Sequence, residues 1–249
     1  MEIIPGGQTL GARIQGIDLG SLCRAAIFDR CCGLWGNTGC CVSLGRRSVR
    51  RLSRRSRRFG DLEMNVTNQF HEPDFPEIMV LSNQMGPDGK PAGANDTGQG
   101  WHTNMSHSAD IALANVLDAQ AVPTRNGKSL GETQFRNMHA AYDELPGGMK
   151  ERREGWTATH DFEKFWEMMR HRPGSRRAAL TEAQKRKKPP VSQPLVRVHP
   201  LTERQVLYAN PGYTMWIDGM DRLEGDKILD YLFRHQDGLI FSTRISGVG

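Results

Sequence analysis

The chain has 249 residues, of which 37% are hydrophobic, and its mean hydropathy is -0.57. This length allows one large domain or two small ones, and the composition is that of a globular protein. No apolar run reaches the roughly 18 residues that a transmembrane helix requires. The first residues lack a basic stretch followed by an apolar one, so we expect no secretory signal and a cytoplasmic location.

The formal net charge is +5, but basic residues and cysteines are concentrated in one part of the chain. Eight arginines and no acid lie within residues 46–58, and all five cysteines lie between positions 23 and 41. A nucleic-acid-binding protein would present a broader basic surface. A secreted disulfide framework would spread its cysteines along the chain. We therefore expect neither class.

The first hundred residues alternate between ordinary and unusual composition. Residues 1–20 predict a short strand and a turn, whereas residues 22–55 show no sustained period of 2 or 3.6. The composition becomes ordinary from Phe59 onward. Residues 78–83 predict a strand. Residues 85–100 are rich in Gly, Pro, Asp and Asn and predict a loop.

The middle of the chain predicts a buried strand and then a helix. Residues 111–122 are largely apolar and fit a buried strand that ends at Pro123. A helix is indicated further on, because apolar residues recur at helical spacing before Pro146 and two glycines end the pattern. The recurring positions are Phe135, Met138, Tyr142 and Leu145.

The last third predicts a basic surface loop over residues 170–188, a strand over 206–210 and a late helix. Short strands with few helices favour a β-rich α+β fold class. We expect a single domain over residues 1–249, with a double-stranded β-helix (jelly-roll) core and flanking helices. The apolar face of the late helix consists of Ile228, Leu229, Leu232 and Phe233.

The sharpest local feature is the segment Trp101-His102-Thr103-Asn104. Side chains on an extended segment alternate, so an H-x-D pair places an imidazole and a carboxylate on the same side. With a distant second histidine, such a pair forms the facial triad of non-haem Fe(II) oxygenases. Here the third position is Asn104, so the pair alone also fits a histidine that only packs or caps.

An ordered set of further motifs follows this segment. In order and spacing, the set resembles the TauD/TfdA family of Fe(II)- and 2-oxoglutarate-dependent dioxygenases, over roughly residues 1–20 and 56–249. It is closer to the 2,4-dichlorophenoxyacetate-type branch than to any nucleic-acid demethylase. The motifs are Gly131-Glu132-Thr133-Gln134-Phe135, Ala140-Ala141-Tyr142-Asp143-Glu144-Leu145, Thr159-His160, Pro194-Leu195-Val196-Arg197-Val198-His199-Pro200 and Leu207-Tyr208-Ala209-Asn210.

The resemblance implies roles for three residues. His102 matches the first iron ligand, and Asn104 stands where the family has its Asp ligand. Thr133 matches the threonine that hydrogen-bonds the 2-oxoglutarate carboxylate. The implied cofactors and cosubstrates are Fe(II), 2-oxoglutarate and O2. The implied reaction hydroxylates a small carboxylate or sulfonate and releases succinate and CO2. We expect no nucleic-acid or membrane partner, and a homo-oligomer stays open.

Two parts of the family's site are expected to be missing. Its second iron histidine and the arginine that pairs with 2-oxoglutarate would follow Val248-Gly249, so we expect a C-terminally incomplete core. His235 lies too early to be that histidine. Asn104 also leaves the site one negative charge short. A second hypothesis therefore stays open: a truncated, non-catalytic remnant of the family without a complete iron site.

The unusual segment 22–55 falls where the family has a buried strand of the form H-G-V-L-V-F-R-G-Q. Codons for residues 37–46, read out of frame, can encode His-Gly-Val-Leu-Cys-Phe-x-Gly-Gln. We therefore hypothesise that about 22–55 is an out-of-frame translation, with the frame restored near Ser56. A zinc site fits poorly because four of the five cysteines form the adjacent pairs Cys31-Cys32 and Cys40-Cys41. An arginine-rich arm that binds nucleic acid is a further alternative.

Three other histidines are expected to be structural. A structural role is the better interpretation of His107 and His199, and core packing is the better interpretation of His160, although it could line a pocket. The tryptophans expected in the core or the pocket wall are Trp156, Trp166 and Trp216.

Overall fold

The computed structural model describes residues 2–5, 10–15, 41–43, 49–64, 69–151, 155–175, 177–238 and 242–245. Most of the unusual segment 22–55 lies outside these residues, so the reading-frame hypothesis stays a prediction. In the part of the chain that is described, no helix is both long and apolar enough to cross a membrane.

The N-terminal strands form one small sheet. Strands β1 (Glu2–Pro5) and β2 (Ala12–Gln15) are antiparallel, and β3 (Cys41–Ser43) lies parallel to β2. Ala12 and Ile14 are buried and the intervening Arg13 is exposed, as the two-residue repeat of a strand dictates. The strand expected within residues 1–20 is therefore confirmed, whereas residues 6–9 and 16–20, where a turn would fall, lie outside the described residues.

An arginine-containing helix packs against a short hairpin. Helix α1 (Val49–Ser56) runs into a 3-10 turn (Arg57–Phe59), and strands β4 (His71–Glu72) and β5 (Phe75–Met79) follow. The contact is polar, because Glu77 accepts a 2.5 Å hydrogen bond from the Ser53 hydroxyl and pairs with Arg57 at 3.2 Å. The strand predicted at 78–83 lies earlier than expected, since β5 ends at Met79.

Residues 80–123 contain no β-strand that belongs to a sheet. Two isolated bridges, Leu81 with Ala94 and Met85 with Pro91, brace the predicted loop. The prediction of a buried strand at 111–122 is wrong, because this segment is irregular and Leu113 and Leu117 are exposed. An apolar run becomes a buried strand only when other strands cover it, and none of the described strands pairs with it.

A hairpin and a short strand lead to the first central helices. Strands β6 (Thr124–Arg125) and β7 (Lys128–Ser129) form the hairpin, and β8 (Thr133–Arg136) follows. Helix α2 (Met138–Asp143) begins after Asn137, whose side chain accepts a hydrogen bond from the Ala140 N–H. The predicted helix is therefore confirmed, but Phe135 belongs to β8. Helix α3 (Gly147–Glu151) starts after Pro146.

The main core lies between a three-stranded sheet and the last helix. Strand β9 (Thr157–His160) is central, between β10 (Val191–Pro194) and β13 (Thr214–Ile217), and all pairs are antiparallel. Beside this sheet, β11 (Val196–Val198) pairs with β12 (Gln205–Leu207). Helix α6 (Arg222–Gln236) packs on β13 and confirms the predicted late helix. The buried residues of this core are Leu145, Ala158, Leu195, Leu207, Ala209, Ile217, Leu229 and Leu232.

The basic run 170–188 is more structured than predicted. Helix α4 (Phe162–Arg170) ends inside it, and helix α5 (Glu182–Lys187) is closed at its start by a capping box between Thr181 and Gln184. A surface loop over the whole run is therefore wrong. Four of its cations pair with acids: Arg170 with Glu167, Arg177 with Asp96, Lys185 with Glu163, and Lys188 with Glu63.

Helices and strands take comparable shares of the described residues, so the fold is a mixed α and β structure built from small sheets. Strand β14 (Ser242–Ile245) pairs antiparallel with β8. This pairing connects the last described residues to the middle of the chain. The jelly-roll core stays a prediction for this chain, because each described sheet has two or three strands.

Candidate functional site

His102 lies on a loop that the structure holds in a defined orientation. Its Nδ1 atom is 2.9 Å from the carbonyl oxygen of Gly100, whose φ of +76° favours glycine. A carbonyl oxygen only accepts hydrogen bonds, so this bond requires the proton on Nδ1 and selects, among the neutral tautomers, the one in which Nε2 keeps its lone pair. Metal-binding histidines are commonly oriented in this way.

Residues 104–107 form a turn, and Met105 has a φ of +62°. His102 and Asn104 therefore do not lie on a strand, and the expected side-chain alternation between them is wrong, since alternation requires an extended backbone. Asn104 is exposed at the start of the turn. The amide of Asn104 thus lies at the surface, whereas the imidazole of His102 is half-buried.

Two aromatic side chains from distant parts of the chain pack against His102. The His102 ring lies 5.1 Å from the Phe165 ring on α4 and 5.9 Å from the Tyr213 ring, measured between centroids. Phe165 and Tyr213 also contact each other at 5.0 Å and are both buried. One side of the imidazole is therefore enclosed in an apolar wall.

The turn that precedes β13 clamps the His102 loop. Asn210 donates from Nδ2 to the Ser106 hydroxyl at 3.0 Å and accepts from the Tyr213 N–H at 3.0 Å, and all these groups are buried. Gly212 approaches so closely that a Cβ there would lie 2.7 Å from the His102 Cβ. This position of the turn is therefore restricted to glycine by contact with the site.

The far end of the loop is anchored at Ser108. Gln193 on β10 donates from Nε2 to the Ser108 carbonyl oxygen at 2.8 Å, and Lys188 lies 3.2 Å from the Ser108 hydroxyl. The second half of segment 100–108 is thus held by side chains from later parts of the chain. The loop has no regular secondary structure, so these contacts supply its order.

Two buried histidines lie in or next to this loop, His107 within it and His160 on β9. The His107 ring contacts Phe162 at 4.9 Å and Tyr213 at 4.7 Å, and His160 on β9 has Nε2 3.2 Å from the Thr214 hydroxyl. Burial lowers the pKa of each to about 4. Both are therefore neutral near pH 7, and core packing is their observed environment. His199 is half-buried, 5.5 Å from the His139 ring.

Thr133 begins β8 and is exposed. The same strand ends in Arg136, whose guanidinium Cζ lies 3.5 Å from the centroid of the Trp101 ring. Because Trp101 directly precedes His102, this contact joins the strand that carries Thr133 to the loop that carries His102. His235 lies elsewhere, with Nε2 2.7 Å from the Ala141 carbonyl oxygen.

The described residues fit part of an iron site. His102 has the orientation of a metal ligand, and Asn104 offers an amide oxygen, which is a weaker donor to Fe(II) than a carboxylate. Within the described ranges, no three His, Cys, Asp or Glu side chains come together as a metal site would require. Among the described residues, His102 and Asn104 would therefore supply at most two ligands of such a site.

The chain belongs to the family described as taurine catabolism dioxygenase TauD, TfdA family, whose model matches residues 3–245. This confirms the resemblance found in the sequence. A Burkholderia xenovorans structure, provisionally named as an alpha-ketoglutarate-dependent 2,4-D dioxygenase, aligns with 99% of this chain and 83% of its own, with a TM-score of 0.74 at 20% identity. That likeness shows a shared fold.

The names of similar proteins are consistent with membership of this family. The alpha-ketoglutarate-dependent 2,4-dichlorophenoxyacetate dioxygenase of Burkholderia sp. strain RASC is 31% identical over 72% of this chain. A Schizosaccharomyces pombe protein, provisionally named an alpha-ketoglutarate-dependent sulfonate dioxygenase, is 31% identical over 69% of it. The chain spans 60% of the first relative's length and 41% of the second's.

The sequence did not point to several residues that shape this site. Phe165, Tyr213 and Arg136 act through contacts with residues far away in the chain, which periodicity does not reveal. The Asn210-Pro211-Gly212 segment did carry a signal, because Asn-Pro and Gly are strong turn residues. That signal predicts a turn, but its contact with His102 depends on the fold.

Proposed function

We propose that this chain is part of an Fe(II)- and 2-oxoglutarate-dependent dioxygenase that hydroxylates a small organic acid and releases succinate and CO2. The observation that carries the proposal is the orientation of His102 by the Gly100 carbonyl in a member of the TauD/TfdA family. The names of the relatives support a carboxylate or a sulfonate as the substrate class.

In this proposal, His102 offers its Nε2 lone pair to the metal and Asn104 offers its amide oxygen. Thr133 donates its hydroxyl hydrogen to a carboxylate of 2-oxoglutarate. Bound iron with 2-oxoglutarate and O2 would supply the oxidation of the C–H bond. Phe165 and Tyr213 exclude water from one side of the His102 ring and keep it in place.

Asn104 favours a second candidate function, a non-catalytic member of the family. A neutral amide in place of a carboxylate leaves the site one negative charge short, and the described residues bring no third ligand to it. This candidate predicts a folded chain that binds Fe(II) weakly and does not convert 2-oxoglutarate. The two candidates differ in one measurable product, succinate.

The deciding experiment is a 2-oxoglutarate turnover assay with Fe(II), ascorbate and O2, in which succinate is measured with a panel of small carboxylates and sulfonates. We expect succinate formation that His102→Ala abolishes. His71→Ala is the matched control, because His71 also places Nδ1 near a backbone carbonyl oxygen, at 3.1 Å, outside the site. No succinate above the His102→Ala level would support the non-catalytic candidate.

Asn104→Asp tests the amide directly. The carboxylate adds the charge that Fe(II) prefers, so we expect succinate formation and Mn(II) affinity to rise at least tenfold, the scale on which single groups tune metal sites. Asn115→Asp, at another exposed asparagine, controls for the added charge. If the two variants behave alike, Asn104 does not contact the metal.

A further inference from the structure

The charged side chain of Arg136 is buried, which is energetically unfavourable for a guanidinium. Its side chain is 8% exposed, and its charge is paired with the Asp237 carboxylate at the end of α6. Its Nε atom finds no acceptor among the described residues. A buried N–H without an acceptor costs about 1–3 kcal/mol, so packing alone would favour an apolar residue here.

The face of the guanidinium lies on Trp101. The 3.5 Å separation between Cζ and the ring centroid is that of a stacked pair, and such cation–π contacts strengthen when both groups are removed from water. Arginine suits this contact because its guanidinium is planar, whereas lysine carries a compact ammonium. The contact therefore fixes the plane of the Trp101 ring.

The position of Trp101 determines the backbone on which His102 is built. Gly100 supplies the carbonyl that orients the imidazole, and Trp101 lies between these two residues. Arg136 itself ends the strand that starts at Thr133. Strand β8, the His102 loop and the end of α6 thus meet at one guanidinium.

We infer that Arg136 is a positioning residue, which fixes the orientation of His102 relative to the strand of Thr133 by stacking on Trp101. The importance of this orientation for activity rests on the proposed function. The orientation itself can be measured without any metal, because it determines which nitrogen of His102 carries the proton.

The test compares Arg136→Met with the unmodified chain by long-range 1H–15N NMR of the histidine rings. The His102 signal is assigned by its loss in His102→Ala, and the His71 ring serves as an internal reference. We expect the unmodified chain to show the Nδ1–H tautomer at His102 and Arg136→Met to show a mixture of tautomers. An unchanged His102 signal in Arg136→Met overturns the inference.

Arg222→Met is a matched control. Arg222 also lies over a tryptophan, with Cζ 5.7 Å from the Trp216 ring centroid, and it pairs with Asp226, but it lies on α6 away from the loop. We expect this variant to leave the His102 signal unchanged. The same tautomer mixture in Arg222→Met would show a general effect of losing an arginine and overturn the inference.

Titration with Mn(II) then separates the inference from the proposed function. Loss of an orienting partner typically weakens metal binding 10–100-fold, so we expect Arg136→Met to raise the Mn(II) Kd about tenfold. No His102-dependent Mn(II) binding by the unmodified chain contradicts the proposed function, while the tautomer signal still decides the role of Arg136. If Arg136→Met does not fold, Arg136→Lys keeps the charge opposite Asp237 without the planar stack, and the same signal is read.

Discussion

Replacing Gly212 with alanine places a methyl group where the structure has no room for one. The new Cβ would lie 2.7 Å from the His102 Cβ and 3.2 Å from the Trp101 carbonyl oxygen. Both atoms belong to the same loop, so the loop must move by about 0.7 Å to restore an ordinary contact. The φ of Gly212 is outside the left-handed region, so alanine fits the backbone and the clash is the main effect.

The clash has two expected consequences. Overpacking of this kind costs about 1–3 kcal/mol, so we expect the free energy of unfolding to fall by that amount. Functional groups must be held to within about 0.5 Å, so we also expect a tenfold or greater loss of His102-dependent Mn(II) affinity. Urea unfolding measures the first effect and metal titration measures the second.

Gly147→Ala is the matched control for Gly212→Ala. A Cβ at Gly147, the first residue of α3, would meet no atom within 4 Å, and alanine is the better helix former. We expect this variant to be as stable as the unmodified chain or more stable by up to about 1 kcal/mol. If Gly212→Ala were equally harmless, the close approach of the turn to His102 would be refuted.

Two further predictions concern the buried groups beside the loop. Burial lowers the pKa of His107 and His160 to about 4, so below about pH 6.5 the unfolded chain binds more protons than the folded one. We therefore expect the free energy of unfolding to fall by about 2 kcal/mol for each histidine as the pH decreases from 7 to 5. Urea unfolding at pH 7 and pH 5 measures this fall. We expect His107→Phe to make the fall smaller, and an equally large fall in this variant would contradict the role of His107. Asn210→Ala leaves the buried Ser106 hydroxyl and a backbone N–H unpaired, so we expect a loss of about 1–3 kcal/mol for each group in the same assay. Asn115→Ala is its exposed control, and a comparable loss there would argue against the clamp.

Local signals predicted the presence of several elements correctly. The helix predicted before Pro146 is present as α2, which ends at Asp143, and the apolar spacing of Leu229 and Leu232 marks the buried face of α6. Such signals act within one or two turns of the chain, where hydrogen bonds and periodicity depend on near neighbours. The prediction failed for residues 111–122, because burial of an apolar run depends on which distant strands cover it.

The sequence by itself determined the family, because the order and types of its motifs are written in the chain. It also led to the proposal that His102, Asn104 and Thr133 bring chemistry to the site. Only the tertiary structure decided how His102 is held. Phe165 and Arg136 reach the loop across more than thirty residues of sequence, through ring contacts and a stacked guanidinium. Contacts of this kind depend on the packing of several elements at once, so no local pattern encodes them.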